Sequence, residues 1–244
     1  SAVIVDITGN GSVSAGRISV TVTDQGAGVR FAGDQLASAG GFRLTSSGRL
    51  ELSSSKIVAQ GSVNVTSGNI ALTSTETRQA EITAAESGVT LAAQAGDIDL
   101  GQARIAGRIV ASDNLASSGG VTLSATGDIS ASKDGGRGAE LISDAGDLPN
   151  AQNASNAVLT ADGAINLAGL NVTSTDDLRV TAGGPVTFSD ASGEIGGDLR
   201  VFSNAGLGFA ASVLTAASDI RLEGSALRFG TQDPSEARTE LIAT

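Results

Sequence analysis

Asp177-Leu178-Arg179-Val180 is followed at a fixed interval of 21 residues by Asp198-Leu199-Arg200-Val201 and then by Asp219-Ile220-Arg221-Leu222. Phe188, Phe209 and Phe229 trail these runs in the same register, at intervals of 21 and 20, so the repeat carries a large apolar side chain as well as an alternating run. Self-similarity at a period near twenty marks a solenoid, in which each unit buries its apolar face against the units before and after it. The chain therefore reads as a single repeat array over 1–244 rather than as the one or two globules that its 244 residues would otherwise suggest.

Working outward, short alternating runs recur in pairs along the chain. Phe42-Arg43-Leu44 goes with Leu50-Glu51-Leu52, Val63-Asn64-Val65 with Ile70-Ala71-Leu72, and Val89-Thr90-Leu91 with Ile98-Asp99-Leu100. Val121-Thr122-Leu123 goes with Ile129, and Val158-Leu159 with Ile165-Asn166-Leu167, before the three regular copies at the carboxy-terminal end. Ile18-Ser19-Val20 with Val29-Arg30-Phe31 makes an early coil, and Val3 to Ile7 falls in one before it. Single apolar anchors between the pairs, Leu36, Ile57, Ile82, Ile195 and Val213-Leu214, mark a third, shorter strand.

Three short strands per coil, with Gly, Asn and Asp at the corners, describe an all-β, parallel β-helix (β-solenoid) of about 20–21 residues per coil. Gly, Asn and Asp suit the corners because they tolerate positive φ and tight turns. Roughly ten coils at the ~4.8 Å spacing of paired strands would make a rod of about 45–50 Å. In such a rod Leu178, Leu199 and Ile220 point inward, so Arg179, Arg200 and Arg221 stack on the outside, flanked by Asp177, Asp198 and Asp219 with compensating charge.

Composition agrees with a narrow core. Hydrophobic residues are 40% of the chain but aromatics only 2%, all six of them Phe, so the interior is built from Val, Ile, Leu and Ala. Their regular placement argues against disorder in a chain this rich in Gly and polar residues. The formal charge of −11, with fifteen basic residues spread from Arg17 to Arg238 without a run, argues against a nucleic-acid partner and against an anionic membrane surface. No stretch approaches the roughly 18 apolar residues needed to cross a bilayer, and Ser1 to Gly11 lacks the plan of a signal peptide. The sequence reads as an internal piece of something longer.

The beat of 21 breaks in the middle, where successive first strands are 26, 32 and 37 residues apart, from Val63 to Val89, Val121 and Val158. The largest excess, 131–156, holds Lys133-Asp134-Gly135-Gly136-Arg137-Gly138 and Pro149 and reads as a loop insertion. Insertions on neighbouring coils can meet on one face of a solenoid, often the binding face.

Catalytic chemistry is sparse. With no His and no Cys the chain builds neither Ser-His-Asp nor Cys-His sites, nor imidazole or thiolate metal sites. Paired carboxylates of the kind used on polysaccharides are possible in principle, but Trp and Tyr platforms are missing, so an enzyme is not expected. Asp97, Asp99, Asp128, Asp147, Asp162, Asp198 and Asp219 sit at corners, yet no tandem calcium-binding nonapeptide occurs, and they read as turn residues. Thr-x-Thr occurs only in isolated pieces, such as Thr21-Val22-Thr23 and Thr173-Ser174-Thr175. No cofactor, metal or catalytic residue is expected, and no particular binding residue is singled out.

Gly68-Asn69-Ile70-Ala71-Leu72 and Gly96-Asp97-Ile98-Asp99-Leu100, with the related Gly127-Asp128-Ile129 and Gly197-Asp198-Leu199-Arg200-Val201, resemble the repeats of filamentous-haemagglutinin-type exoproteins. The resemblance runs from about Gly16 to Gly230, without the NPNL- and NPNGI-like motifs of that family's secretion domain. It implies the right-handed parallel β-helix shaft of an adhesin or contact-dependent inhibition stick of two-partner secretion. Such a shaft is exported across an outer membrane through a partner transporter, is secreted or held at the cell surface, and is directed at a host-cell, bacterial-cell or glycan ligand. Two other expectations stand beside it: a filament or matrix subunit that stacks end to end, and a polysaccharide-active β-helix.

Overall fold

The computed structural model describes residues 3–7, 11–108, 120–144, 156–230 and 239–244. Within them the chain forms three parallel sheets of nine, ten and ten strands, and it contains no helix. Each turn visits the sheets in the same order, here called faces 1, 2 and 3. Coil 1 is Ile18–Val22, Gly28–Phe31 and Gln35–Ala37, and coil 9 is Ile220–Glu223, Ala226–Phe229 and Glu240–Ala243. Val3–Ile7 and Val13–Ala15 extend faces 2 and 3 before coil 1. The structure is the expected β-solenoid, with three strands per coil and about nine turns.

Alternation along each strand sends every second side chain inward, and parallel in-register pairing stacks like positions into columns. On face 1 one inward column runs Phe42, Val63, Val89, Val121, Ala157, Leu178 and Leu199, all buried. On face 2 Phe188 stacks on Phe209 with rings 5.1 Å apart and nearly parallel, and Phe209 on Phe229 at 5.5 Å. The repeated Phe noticed in the sequence is thus a stack on face 2, buried at Phe188 and Phe209 and half exposed at Phe229, worth about 0.5–1.5 kcal/mol per aromatic pair beyond the area it buries.

Three sequence readings need correction. Val158 is not in the core column: Ala157 pairs with Val121 and Leu178, while Val158 stands between Thr122 and Arg179 on the outer side. Leu159 pairs with Leu123 and Val180, and a strand of period two has room for only one inward set, so its neighbour must face out. Leu36 is likewise no anchor. It is 42% exposed, whereas Gln35 and Ala37 are buried. Ala37 begins a corner column of small residues, Ala59, Ala84, Gly107, Ser143 and Ser174, and seating Ala37 there turns Leu36 outward. Finally, 131–156 is not all loop. Ala131 ends a face 2 strand, and Glu140–Asp144 is the face 3 strand of coil 5, with Leu141 buried on Ile105 and Val172. Charged Glu140 and Asp144 disguise the alternation. Residues 145–155 lie outside those described.

The corners use two devices. The first explains the Gly-Asp-Ile motif: Asn69 Oδ1 accepts the Asp97 amide at 2.9 Å, Asp97 Oδ1 the Asp128 amide at 2.8 Å, and Asp128 Oδ1 the Ala164 amide at 2.7 Å. A Cβ on Gly96, Gly127 or Gly163 would overlap the carboxamide or carboxylate oxygen of the coil before it. Glycine therefore clears space for the side chain, the next residue donates to it, and the Ile or Leu that follows enters the core. A second ladder at the entry to face 1 runs from Asn156 through Asp177 and Asp198 to the Asp219 amide. The second device is a single residue of positive φ between faces 2 and 3: Ser54, Gly101, Gly169, Asp190 and Ala211.

Candidate functional site

Coils 3 and 5 replace that one-residue corner between faces 2 and 3 with excursions. In coil 3, Thr75 and Arg78 close a tight loop through paired backbone bonds of 2.9 and 3.3 Å. In coil 5, Asp134 and Arg137 form an antiparallel bridge around Gly135 and Gly136, whose φ values of 55° and 83° are those of a two-residue hairpin turn. The two excursions meet, because Arg137 Nη1 donates to the Thr75 carbonyl at 3.4 Å. Coil 4 supports them from below: Gln79 donates to the Gln102 carbonyl, and Gln102 to Ser132, both at 2.7 Å. Arg78 pairs with Asp34 of coil 1, so the cluster spans five coils.

Two open clefts flank Arg137. One, of about 540 Å³, is lined by Lys133, Arg137, Glu140, Asn171, Asp190 and Ser192, with Lys133 Nζ 3.7 Å from Asp190. The other, of about 290 Å³, is lined by Ser74, Thr75, Glu76, Gln102, Asp134 and Arg137. Both offer donors, acceptors and charges of both signs to a polar partner. Insertions on neighbouring coils can meet on one face, and here the excursions of coils 3 and 5, two coils apart, do so. The adjacent face 3 strands of coils 4 and 5 are joined at their ends by Arg108 and Asp144 at 3.2 Å, and the segments 109–119 and 145–155 that follow them in the sequence lie outside the described residues.

Face 3 carries an alternating charge ladder beside these clefts. Lys56 Nζ lies 2.7 Å from Glu81, Arg104 lies 3.2 Å from Glu81 and 3.4 Å from Glu140, and all four occupy one outward column. Burial pushes the Glu81 carboxyl up, but the Lys56 and Thr83 hydrogen bonds and the charges of Lys56 and Arg104 outweigh it and hold the group below its ordinary value. The ladder neutralises itself rung by rung, which is a scaffold's use of charge.

The second outward feature is on face 1. Arg179, Arg200 and Arg221 stack in register as expected from the sequence. Arg179 binds Asp177 with Nη2 at 2.7 Å and Nε at 3.2 Å, and Arg200 binds Asp198. Arg221 turns instead to Glu223, two residues after it, rather than to Asp219 two residues before it. The Asp219 amide, the Arg200 guanidinium and Ser218 together hold the Asp198 carboxyl down at about 2, while Arg200 is raised by the same pair.

Phe202 stands in the next outward column, between Thr181 and Glu223, and is 40% exposed. Sequence reasoning passed over it, although alternation beyond Leu199 and Val201 places it outside. Of the corner aspartates, Asp97, Asp128 and Asp198 are ladder acceptors, and Asp99 accepts the Gly101 amide at 3.0 Å. Asp162 precedes the Gly163 corner, Asp219 is the last donor of the face 1 ladder, and Asp147 lies outside the described residues. Among the described residues no group of three or more carboxylates is arranged to hold a metal ion. The chain matches no protein-family model, no curated protein and no solved structure.

Proposed function

We propose that this chain is the shaft of a secreted or cell-surface adhesin of filamentous-haemagglutinin type, a rod that holds attachment groups away from the surface that bears it. The observation that supports this reading is the continuity of the three parallel sheets: face pairing persists from coil to coil while every described excursion is confined to a corner. A rod of that kind transmits no substrate to an enclosed site, yet it tolerates variation at its corners without loss of its axis. The Gly-Asp/Asn-Ile-x-Leu repeats add the family character. In this reading the chain is not an enzyme, it leaves the cell through an outer-membrane transporter, and its partner is a ligand on a host cell, a bacterial cell or a glycan coat.

The test is attachment by the purified chain itself. Beads coated with it are expected to bind target cells, and soluble chain is expected to compete that binding away. Coated beads that bind no better than albumin-coated ones, across bacterial and animal cells, would remove the adhesin reading. A second reading, a subunit that stacks end to end, rests on the parallel sheets themselves, whose strand edges can pair with those of another chain. Sedimentation separates the two, since stacking requires mass that grows with concentration.

A further inference from the structure

We propose that face 1 of coils 7 to 9 is a binding face for a linear neutral glycan, with Phe202 as the platform for one pyranose ring and the carboxylate-paired arginines as hydrogen-bonding rungs on either side. The inference deepens the attachment reading and rests on it for its biological setting.

Four observations converge there. First, Phe31, Phe42, Phe188 and Phe209 are buried, whereas Phe202 lies in an outward column that runs through Thr21, Thr45, Thr66, Ala92, Ser124, Thr160 and Thr181 before it and Glu223 after it. An aromatic ring in that column adds little to the core and offers an apolar surface to solvent. Second, the ring borders a shallow depression of about 220 Å³ that also touches Arg179, Thr181, Arg200, Arg221 and Glu223. It has no depth for a small molecule but is open along the rod, which suits an extended occupant.

Third, each arginine is oriented by a carboxylate and still presents most of its five N–H donors, with side-chain exposures of 41% for Arg179, 51% for Arg200 and 74% for Arg221. Sugar hydroxyls both donate and accept, so a guanidinium beside a carboxylate offers complementary partners to adjacent hydroxyls. The C–H face of a pyranose supplies the matching apolar surface for the Phe202 ring. Adjacent rungs are separated by one strand spacing, ~4.8 Å, comparable to the rise per sugar in an extended glycan.

Fourth, charge selects against a polyanion. The three arginines are matched by Asp177, Asp198 and Glu223, and the chain as a whole carries −11, so a sulfated or carboxylated polymer would gain little and would meet a repulsive field. The neutral polyol is the occupant that the face fits.

The experiment is a titration of the whole chain with linear neutral hexasaccharides of several linkages, such as β-1,4- and β-1,3-glucan and β-1,4-mannan, against a heparin-derived hexasaccharide. At least one neutral hexasaccharide is expected to bind, with little dependence on salt. Phe202→Ala and Arg200→Ala are each expected to weaken it by about tenfold or more, Phe202→Tyr to retain it, and Arg104→Ala on face 3 to leave it unchanged. Circular-dichroism melting checks that each variant is folded. No binding of any neutral hexasaccharide, equal binding by Phe202→Ala, or binding of the heparin fragment alone overturns the proposal. Coated beads separate the two readings: cells that attach to wild type and Phe202→Ala alike leave the adhesin standing and the glycan face refuted, and attachment to neither refutes both.

Discussion

Coils 3 to 5 and coils 7 to 9 are built on the same three sheets, yet they use their outer surfaces in opposite ways. In coils 7 and 8 the corner between faces 2 and 3 turns on one residue of positive φ, Asp190 or Ala211, and face 1 of coils 7 to 9 is a set of straight columns. In coils 3 and 5 that corner is replaced by excursions, and the surface becomes a polar cluster held together by Arg137, Thr75, Gln79, Gln102 and Ser132. The interior barely registers the difference: Ile82, Ile105 and Leu141 stack on face 3 as Val172 and Leu214 do later. A solenoid separates its two problems in this way. Inward columns set stability, and corners and outward columns are released for recognition.

The largest effect that would break this separation belongs to an inward column. Leu199→Asp puts a charge between Leu178 and Ile220 with no partner nearby, and is expected to cost about 4 kcal/mol or more and to unfold the carboxy-terminal coils, as read by thermal melting. A melting shift no larger than that of a surface variant would mean that inward and outward are wrongly assigned.

Next come the corners. Gly127→Ala drives a methyl into the Asp97 carboxylate and disrupts the ladder, with an expected loss of about 1–3 kcal/mol in denaturant unfolding. Gly135→Ala, at a hairpin tip with open space around it, is expected to cost only the left-handed backbone, about 1–2 kcal/mol, and to leave the rest of the rod unaffected. Equal losses spread through the whole rod would deny that the excursion is independent of the shaft.

Acid should distinguish the regions more gently. The Asp198 carboxyl sits at about 2 in the folded chain, below its ordinary value of 3.8, so the folded state favours the ionised form. Its contribution is complete above the ordinary value and is lost as pH falls from there through about 2. Wild type is therefore expected to lose more melting temperature over that interval than Asp198→Asn, which can still accept the Asp219 amide through its carboxamide oxygen. The smallest expected effect is that of Arg200→Ala, a melting temperature close to that of wild type, because its ion pair lies at the surface. A large loss there would make the arginine column part of the scaffold.

Much of this arrangement was legible before any coordinates. Leu199 inward and Arg200 outward follow from alternation together with the interval of 21, and so do the Phe188–Phe209–Phe229 stack and the placement of most coil pairs. The errors share one cause. Val158 and Leu141-Ile142 sit in runs of adjacent apolar residues and Leu36 stands alone, so in each case the side chain's direction depended on the pairing of the neighbouring coil. Phe202 was readable from its distance to Val201 but carried no motif of its own. The contact between Arg137 and Thr75 joins residues 62 apart and leaves no local trace.

The sequence by itself determined the repeat, its three-strand coil and the aliphatic columns, because a period of two within strands and a period near 21 between them admit one way to hide the apolar residues. Only the tertiary structure decided which oxygen each corner glycine makes room for, which excursions touch, and that Phe202 meets three arginines on one flat face. Those relations depend on stacking. Parallel pairing brings side chains from different coils to within one strand spacing, and the register that does so is fixed by the whole array rather than by any one repeat.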